Sequence, residues 1–282
     1  MNKNLKQIAV PLVSVLLGLV LGAIIMWAFS YDALWGYELL FKKAFGSIKS
    51  WGNISRAMGP LILVALGFSV ASRAGFFNVG LPGQAFAGWI MATWFALSFP
   101  NMPRLLMIPM TVLIAAIAGG FIGAIPGFLR AYLGTSEVII TIMMNYIGMY
   151  LVNYLIKIAP IYDNVKNQTR PVPAAHRLPT AGLEKLFPDS SANIGIFIVI
   201  VVAIIVYILL EKTNFGFELK ACGKNRDASI GFGVDAKRMI MTAMLISGAL
   251  IGLGGALLYL SSAGKYIKVE DVQAAEGMNG IP

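Results

Sequence analysis

Leu105-Leu-Met-Ile-Pro-Met-Thr-Val-Leu-Ile-Ala-Ala-Ile-Ala-Gly-Gly-Phe-Ile-Gly-Ala-Ile-Pro-Gly-Phe-Leu129 runs for 25 residues without a charge and is closed at each end by an arginine, Arg104 and Arg130. Wound as a helix, a run of that length is more than enough to cross the roughly 30 Å of hydrocarbon in a bilayer. Six further charge-free intervals repeat the pattern, at 7–31, 57–72, 74–103, 138–156, 190–210 and 239–264. Period-two alternation with regular turn signals is absent, which argues against a β-barrel. The chain therefore reads as all-α, a polytopic transmembrane helical bundle forming one domain over 1–282. At least seven spans are expected, at about 8–29, 54–72, 80–99, 105–128, 137–157, 193–210 and 239–261.

Composition agrees. Of 282 residues, 58% are hydrophobic and 12% charged, where soluble domains carry about a quarter charged residues. A net charge of +9 raises the question of nucleic acid. No dense Lys/Arg patch with interleaved aromatics exists, however, and the basic residues sit at helix ends and in loops. There they hold spans against lipid headgroups, so membrane lipid is the expected contact and nucleic acid is not. Cys222 is the sole cysteine and excludes an intrachain disulfide. Lys3 and Lys6 precede an apolar run from Ile8 to Phe29 in the manner of a signal peptide. That run is too long for one and no A-x-A site follows it, so it reads as a retained first span.

Alternating the spans from a cytoplasmic N-terminus places Arg73, Arg130 and loop 211–238 inside, with 30–53, 99–104, 158–192 and 262–275 outside. The density of Lys212, Lys220, Lys224, Arg226, Lys237 and Arg238 in one short loop favours this orientation. Within 33–50, Leu34, Tyr37, Leu40, Phe41, Ala44, Phe45 and Ile48 recur at helical spacing, with Lys42, Lys43 and Lys49 on other faces. This predicts one amphipathic helix lying on the outer membrane surface. The outer loop 158–192 holds the only histidine, His176; without a cluster of partners it reads as a solvated loop residue.

Three stretches carry more than hydrophobicity. Arg73-Ala-Gly-Phe-Phe-Asn-Val-Gly-Leu-Pro-Gly-Gln84 sets three glycines, a proline, Asn78 and Gln84 between two apolar segments. Broken backbone at membrane depth marks a transport path; a tight cytoplasmic turn between two helices is the plainer reading. Thr135-Ser-Glu-Val-Ile-Ile-Thr-Ile-Met-Met-Asn145 opens a helix, and its four-residue spacing puts Glu137, Thr141 and Asn145 on one face. Such a stripe suits either a path for a hydroxyl-rich solute or interhelical hydrogen bonds. In 211–238, Asn225 is placed to cap a short helix with Asp227 in its first turn and Gly231 or Gly233 at its end. Gly18 and Gly22, then Gly119, Gly123 and Gly127, then Gly248, Gly252 and Ala256 recur every four residues and predict close helix packing. Neither Gly223-Lys224 nor Gly264-Lys265 belongs to a phosphate-binding loop, and no metal-ligand cluster or nucleophile–His–acid set is present. The chain is not expected to be an enzyme.

Gly75-Phe-Phe-Asn-Val-Gly-Leu-Pro-Gly-Gln84, Thr135-Ser-Glu-Val-Ile-Ile-Thr-Ile-Met-Met-Asn-Tyr-Ile147 and Gly216-Phe-Glu-Leu-Lys-Ala-Cys-Gly-Lys-Asn225 together resemble the permease subunits of bacterial ABC importers for nucleosides and simple sugars. These belong with the ribose and branched-chain amino acid importer permeases, and the likeness covers nearly the whole chain. It implies a multi-pass protein of the bacterial plasma membrane that imports nucleosides, with ribose or another simple sugar as the alternative cargo. An ion-coupled carrier is the alternative mechanism, although such carriers usually hold more intramembrane ionisable groups than the one acid, Glu137, seen here. The implied partners are a second permease subunit, of a related but different chain, and two ATPase subunits or one tandem ATPase. An extracellular lipoprotein or periplasmic substrate-binding protein completes the set. ATP and magnesium would bind the ATPases, and no cofactor is expected in this chain.

The same resemblance makes 216–233 a coupling helix against the ATPases, with Gly216, Glu218, Lys220, Gly223, Asn225, Asp227 and Ala228 as candidate contacts. Asn78, Gln84, Glu137, Thr141 and Asn145 are the candidates for the translocation path. Two departures stand out. Leu81-Pro82 replaces a small residue and a glutamate, and Arg226-Asp-Ala-Ser229 replaces a more usual Pro-Glu-Ala-Ala. Met278-Asn-Gly-Ile-Pro282 loosely echoes Phe77-Asn-Val-Gly-Leu-Pro82, so the chain reads as C-terminally truncated, with further spans expected.

Overall fold

Helix follows helix wherever the apolar intervals predict it. The structure, a computed structural model, describes residues 3–158, 161–166 and 168–261; the Met278–Pro282 echo lies outside them. In chain order the helices are α1 (Lys3–Ala28), α2 (Ala33–Phe45), α3 (Ile48–Arg73), α4 (Leu81–Ser98), α5 (Arg104–Leu133), α6 (Glu137–Ile158), α7 (Leu183–Leu186), α8 (Gly195–Lys212), α9 (Asn214–Lys224), α10 (Arg226–Gly231) and α11 (Ala236–Tyr259). A two-residue hairpin, Tyr162–Asp163 against Gln168–Thr169, and a 3-10 turn at Ala174–His176 lie between α6 and α7.

Among the described residues five helices, α3, α5, α6, α8 and α11, are long and apolar enough to cross a membrane. The sequence reading expects at least seven spans. The two remaining intervals fall on α1, whose apolar part is Leu12–Ala28, and on α4. In α4 the reason for the lower hydropathy is its position. Fourteen of its 18 residues are buried, packed chiefly against α5, α6 and α11, so it carries Gln84, Thr93, Gly83 and Gly88 where a lipid-facing helix would carry leucine.

α11 is the other central element and packs most extensively on α5, then on α3 and α4. The glycine spacing explains how. A Cβ on Gly123 would lie 2.6 Å from the carbonyl oxygen of Met244 and 2.9 Å from Gly248 Cα, so α5 and α11 touch backbone to backbone. Gly88 meets Gly252 and Gly255 meets Ala85 in the same way, drawing α4 against α11. Close approach of this kind replaces the hydrophobic drive that helices lack inside lipid. Gly18 departs from the expectation: nothing lies within 4 Å of where its Cβ would be, because α1 packs on α2 and stands off the bundle.

Two local readings need correction. The single amphipathic helix expected over 33–50 is divided. Asp32 caps α2 by accepting from Trp35 N (3.1 Å), α2 stops at Phe45, and Ser47 starts α3 by accepting from Ser50 N (3.1 Å). A serine with extended backbone is a strong helix start, so Ile48 and Lys49 belong to the next helix. His176 is the other. It is 1% exposed, with Nδ1 2.8 Å from the carbonyl oxygen of Ala96. The loop folds back over the end of α4 and is pinned by Arg104, which donates to the carbonyls of Ala175 (2.8 Å) and Ala174 (2.7 Å).

Candidate functional site

The break between α3 and α4 is built by Gly75 and Pro82. Gly75 takes a left-handed backbone (φ +73°), which glycine adopts without strain, and Phe76 N returns to the carbonyl of Ala71 at 3.1 Å to close α3. Pro82 stands in the first turn of α4, where its missing N–H costs nothing. Between them, 76–80 crosses without regular structure.

That open segment is held by side chains. Asn78 Oδ1 accepts from Gly80 N (2.9 Å) and Gln84 Nε2 (3.3 Å), while its Nδ2 donates to Gln84 Oε1 (3.1 Å) and Ser247 Oγ (3.0 Å). From α6, Asn145 Oδ1 accepts from Gly83 N (3.0 Å) and Asn145 Nδ2 donates to the Val79 carbonyl (2.8 Å). Thr141 Oγ1 donates to the Glu137 carbonyl (2.7 Å) and accepts from Val79 N (3.3 Å). Asn145 thus satisfies an N–H in the first turn of α4 that has no partner within its own helix. Asn78, Gln84, Thr141, Asn145 and Ser247 are each no more than 2% exposed.

Four of the five path candidates are therefore brought into one buried network. Glu137 is not: its carboxylate faces Arg130, with Oε2 3.2 Å from Nε, and its side chain is 23% exposed. In the conformation described, the amide and hydroxyl groups are engaged with one another and with backbone. Ser247 is the member that sequence reasoning missed. Its only signal is a hydroxyl inside the charge-free interval 239–264.

At the same end of the bundle lie α9 and α10. The expected single helix over 216–233 is two, because Asn225 has an extended backbone and its Oδ1 accepts from Ala228 N at 3.0 Å, starting α10 afresh. Asp227 sits in that first turn, where the helix dipole favours an acid. The seven coupling candidates divide by exposure. Gly216 packs on the carbonyls of Leu209 and Leu210, and Gly223 on the backbone of Arg73 to Gly75. Lys220 Nζ reaches Glu211 Oε2 at 2.5 Å, and Arg73 pairs with the other carboxylate oxygen, so α3, α8 and α9 meet at Glu211. Glu218 is half-buried, while Asn225, Asp227 and Ala228 are exposed.

Beside them Phe217 (75% exposed) and Phe232 (90% exposed) flank a hollow of about 490 Å³ that Ala221, Asn225 and Ala228 also line. These two aromatics were not anticipated; their signal is phenylalanine within a charged, soluble loop. Cys222 lies on the inner side of α9, where burial raises its thiol pKa and leaves it an inert packing group.

The family described as branched-chain amino acid transport system / permease component matches residues 50–281. The chain belongs to this permease family. The permease is 49% identical over 259 residues to the nucleoside ABC transporter permease protein NupB of Lactococcus lactis subsp. cremoris strain MG1363, covering 90% of the chain and 71% of that relative. It is 37% identical over 281 residues to the guanosine ABC transporter permease protein NupP of Bacillus subtilis strain 168, covering 100% and 80%. At 28% identity over 265 residues it also matches the glucose ABC transporter permease protein TsgB13 of Haloferax volcanii, covering 91% and 69%. No solved structure matches. The family match spans α3 to α11, so it contains the Asn78 network and the α9–α10 pair.

Proposed function

We propose that this permease is the membrane-spanning subunit of an ATP-binding-cassette importer that carries nucleosides across a bacterial plasma membrane. The observation that carries the reading is the 49% identity, over 90% of the chain, with a nucleoside ABC transporter permease. The guanosine permease at 37% supports the same cargo over glucose, whose permease stands at 28%.

In this reading two ATPase subunits, or one tandem ATPase, bind ATP and magnesium and dock on the α9–α10 end, which faces the cytoplasm with the N-terminus. A second, related permease completes the path, and an external binding protein delivers substrate to the opposite end. Asp227 and Ala228, with Phe217 and Phe232, offer the exposed apolar-and-acidic surface that such docking needs. Movement of α9 has a direct route inward, because Gly223 rests on the Arg73–Gly75 turn from which the Asn78 segment departs. Alternating access would then exchange the bonds of Asn78, Gln84, Thr141 and Asn145 among new partners, one of them the hydroxyl-rich solute.

The test is uptake of labelled guanosine, uridine and ribose by cells with and without the gene, with ATP and the proton gradient collapsed separately. Loss of ATP-dependent nucleoside uptake on deletion is expected. Loss of ribose uptake alone would move the cargo to sugars, and uptake that follows the proton gradient would overturn the mechanism.

A further inference from the structure

A second feature of α4 lies about 7.5 Å along the helix from Gln84, on the side away from α9. Trp89 is 3% exposed, and its ring lies parallel to Tyr259 of α11, with centroids 3.4 Å apart and planes within 12°. Phe86 stacks on the same indole at 5.3 Å and 11°. Met149, Val152 and Ile156 of α6, with Ile90, close the surroundings in apolar carbon.

Within that apolar setting the indole Nε1–H has no hydrogen-bond acceptor among the described residues. An unsatisfied buried donor costs on the order of 1–3 kcal/mol. Phenylalanine would supply a similar stacking face without that cost. The indole therefore keeps a free donor beside a flat face, and a second flat ring already lies on that face at van der Waals spacing. A ligand that suits both features is planar, has a π-face and carries a hydrogen-bond acceptor on its edge. A nucleobase has all three; a pentose lacks the π-face. Stacking accepts any base, because every base has such a face, and this fits a permease whose relatives are named for nucleosides in general and for guanosine.

The geometry points to Trp89 as a stacking platform for the base of a nucleoside in transit. Tyr259 covers the platform when no substrate is present, and Nε1–H donates to an acceptor on the base edge. This inference rests on the nucleoside reading above. Tyr259 is the last residue of α11, so a change in its side-chain rotamer uncovers the indole without separating α4 from α11 along their glycine contact.

The experiment uses membrane vesicles holding the whole importer, supplied with 5-iodouridine and ATP and irradiated so that the iodinated base couples to an aromatic ring stacked on it. Cross-linked peptides containing Trp89 or Tyr259 are expected, and the Trp89 adduct disappears in Trp89→Leu. In parallel, Trp89→Leu lowers uridine uptake about five-fold or more, the equivalent of roughly 1 kcal/mol or more of base stacking. Trp89→Phe, which keeps a stacking ring but loses the Nε1–H donor, falls between wild type and Trp89→Leu. Wild-type uptake with cross-links confined to other peptides, or unchanged uptake in Trp89→Leu, would overturn the platform alone. Wild-type vesicles that take up no nucleoside would overturn both readings.

Discussion

Asn145→Ala probes how the broken helix is held. The amide is 2% exposed and makes two bonds to backbone, accepting from Gly83 N at 3.0 Å and donating to the Val79 carbonyl at 2.8 Å. Alanine leaves both backbone groups buried without a partner. Gly83 cannot recover one within α4, since the first turn of a helix has no intrahelical acceptor to offer. Each orphaned group costs about 1–3 kcal/mol, so the pair costs about 2–6 kcal/mol. Had these been ordinary interhelical bonds in a membrane, averaging about 0.6 kcal/mol, the loss would be roughly 1.2 kcal/mol. The difference is measurable by denaturant titration of the purified protein, following exposure of Cys222, the one thiol of the chain and buried in the folded state. A destabilisation of about 2 kcal/mol or more is expected. A loss of about 1.2 kcal/mol or less would refute the claim that Asn145 is what satisfies the start of α4.

Other perturbations follow from the same geometry. A Gln84→Ala, Asn145→Ala double variant is expected to lose uptake, and wild-type uptake would remove both residues from the path. Asp227→Lys or Ala228→Trp, both at exposed positions, should abolish uptake with membrane expression intact; normal transport would sink the docking assignment. Gly223→Val drives a side chain into the Arg73–Gly75 backbone and should destabilise by about 1–3 kcal/mol, whereas a neutral result would show that the α9 contact is loose. Glu211→Gln, at a cluster whose side chains are 33–38% exposed, should leave the denaturation midpoint almost unchanged. Any small shift should shrink as salt rises, and a large, salt-independent drop in the midpoint would contradict it.

Much of the fold is legible in the sequence because bilayer thickness imposes a length on every span. The interval bounded by Arg104 and Arg130 lies within α5, which starts at Arg104 and runs on to Leu133. Capping chemistry is equally local, which is why Asn225 reads as a helix start and proves to be one. Ser47 is a helix start of the same local kind, inside the stretch 33–50 whose apolar periodicity reads as continuous. Burial by distant chain is what does not show. His176 is covered because its loop crosses the end of α4, 80 residues away. Ser247 matters through Asn78, 169 residues away. The four-residue spacing of Glu137, Thr141 and Asn145 is real, yet the first points its carboxylate at Arg130 while the others meet the break, a division that periodicity does not carry.

The central claim is that this permease moves nucleosides at the expense of ATP. Its most direct test is reconstitution of the permease with its second permease, the ATPases and the binding protein in liposomes, followed by accumulation of labelled guanosine or uridine. The account predicts uphill accumulation that requires ATP on the α9–α10 side, persists with a protonophore and vanishes with Asp227→Lys. Accumulation that proceeds without ATP hydrolysis, or none with any nucleoside while ribose is taken up, would contradict it.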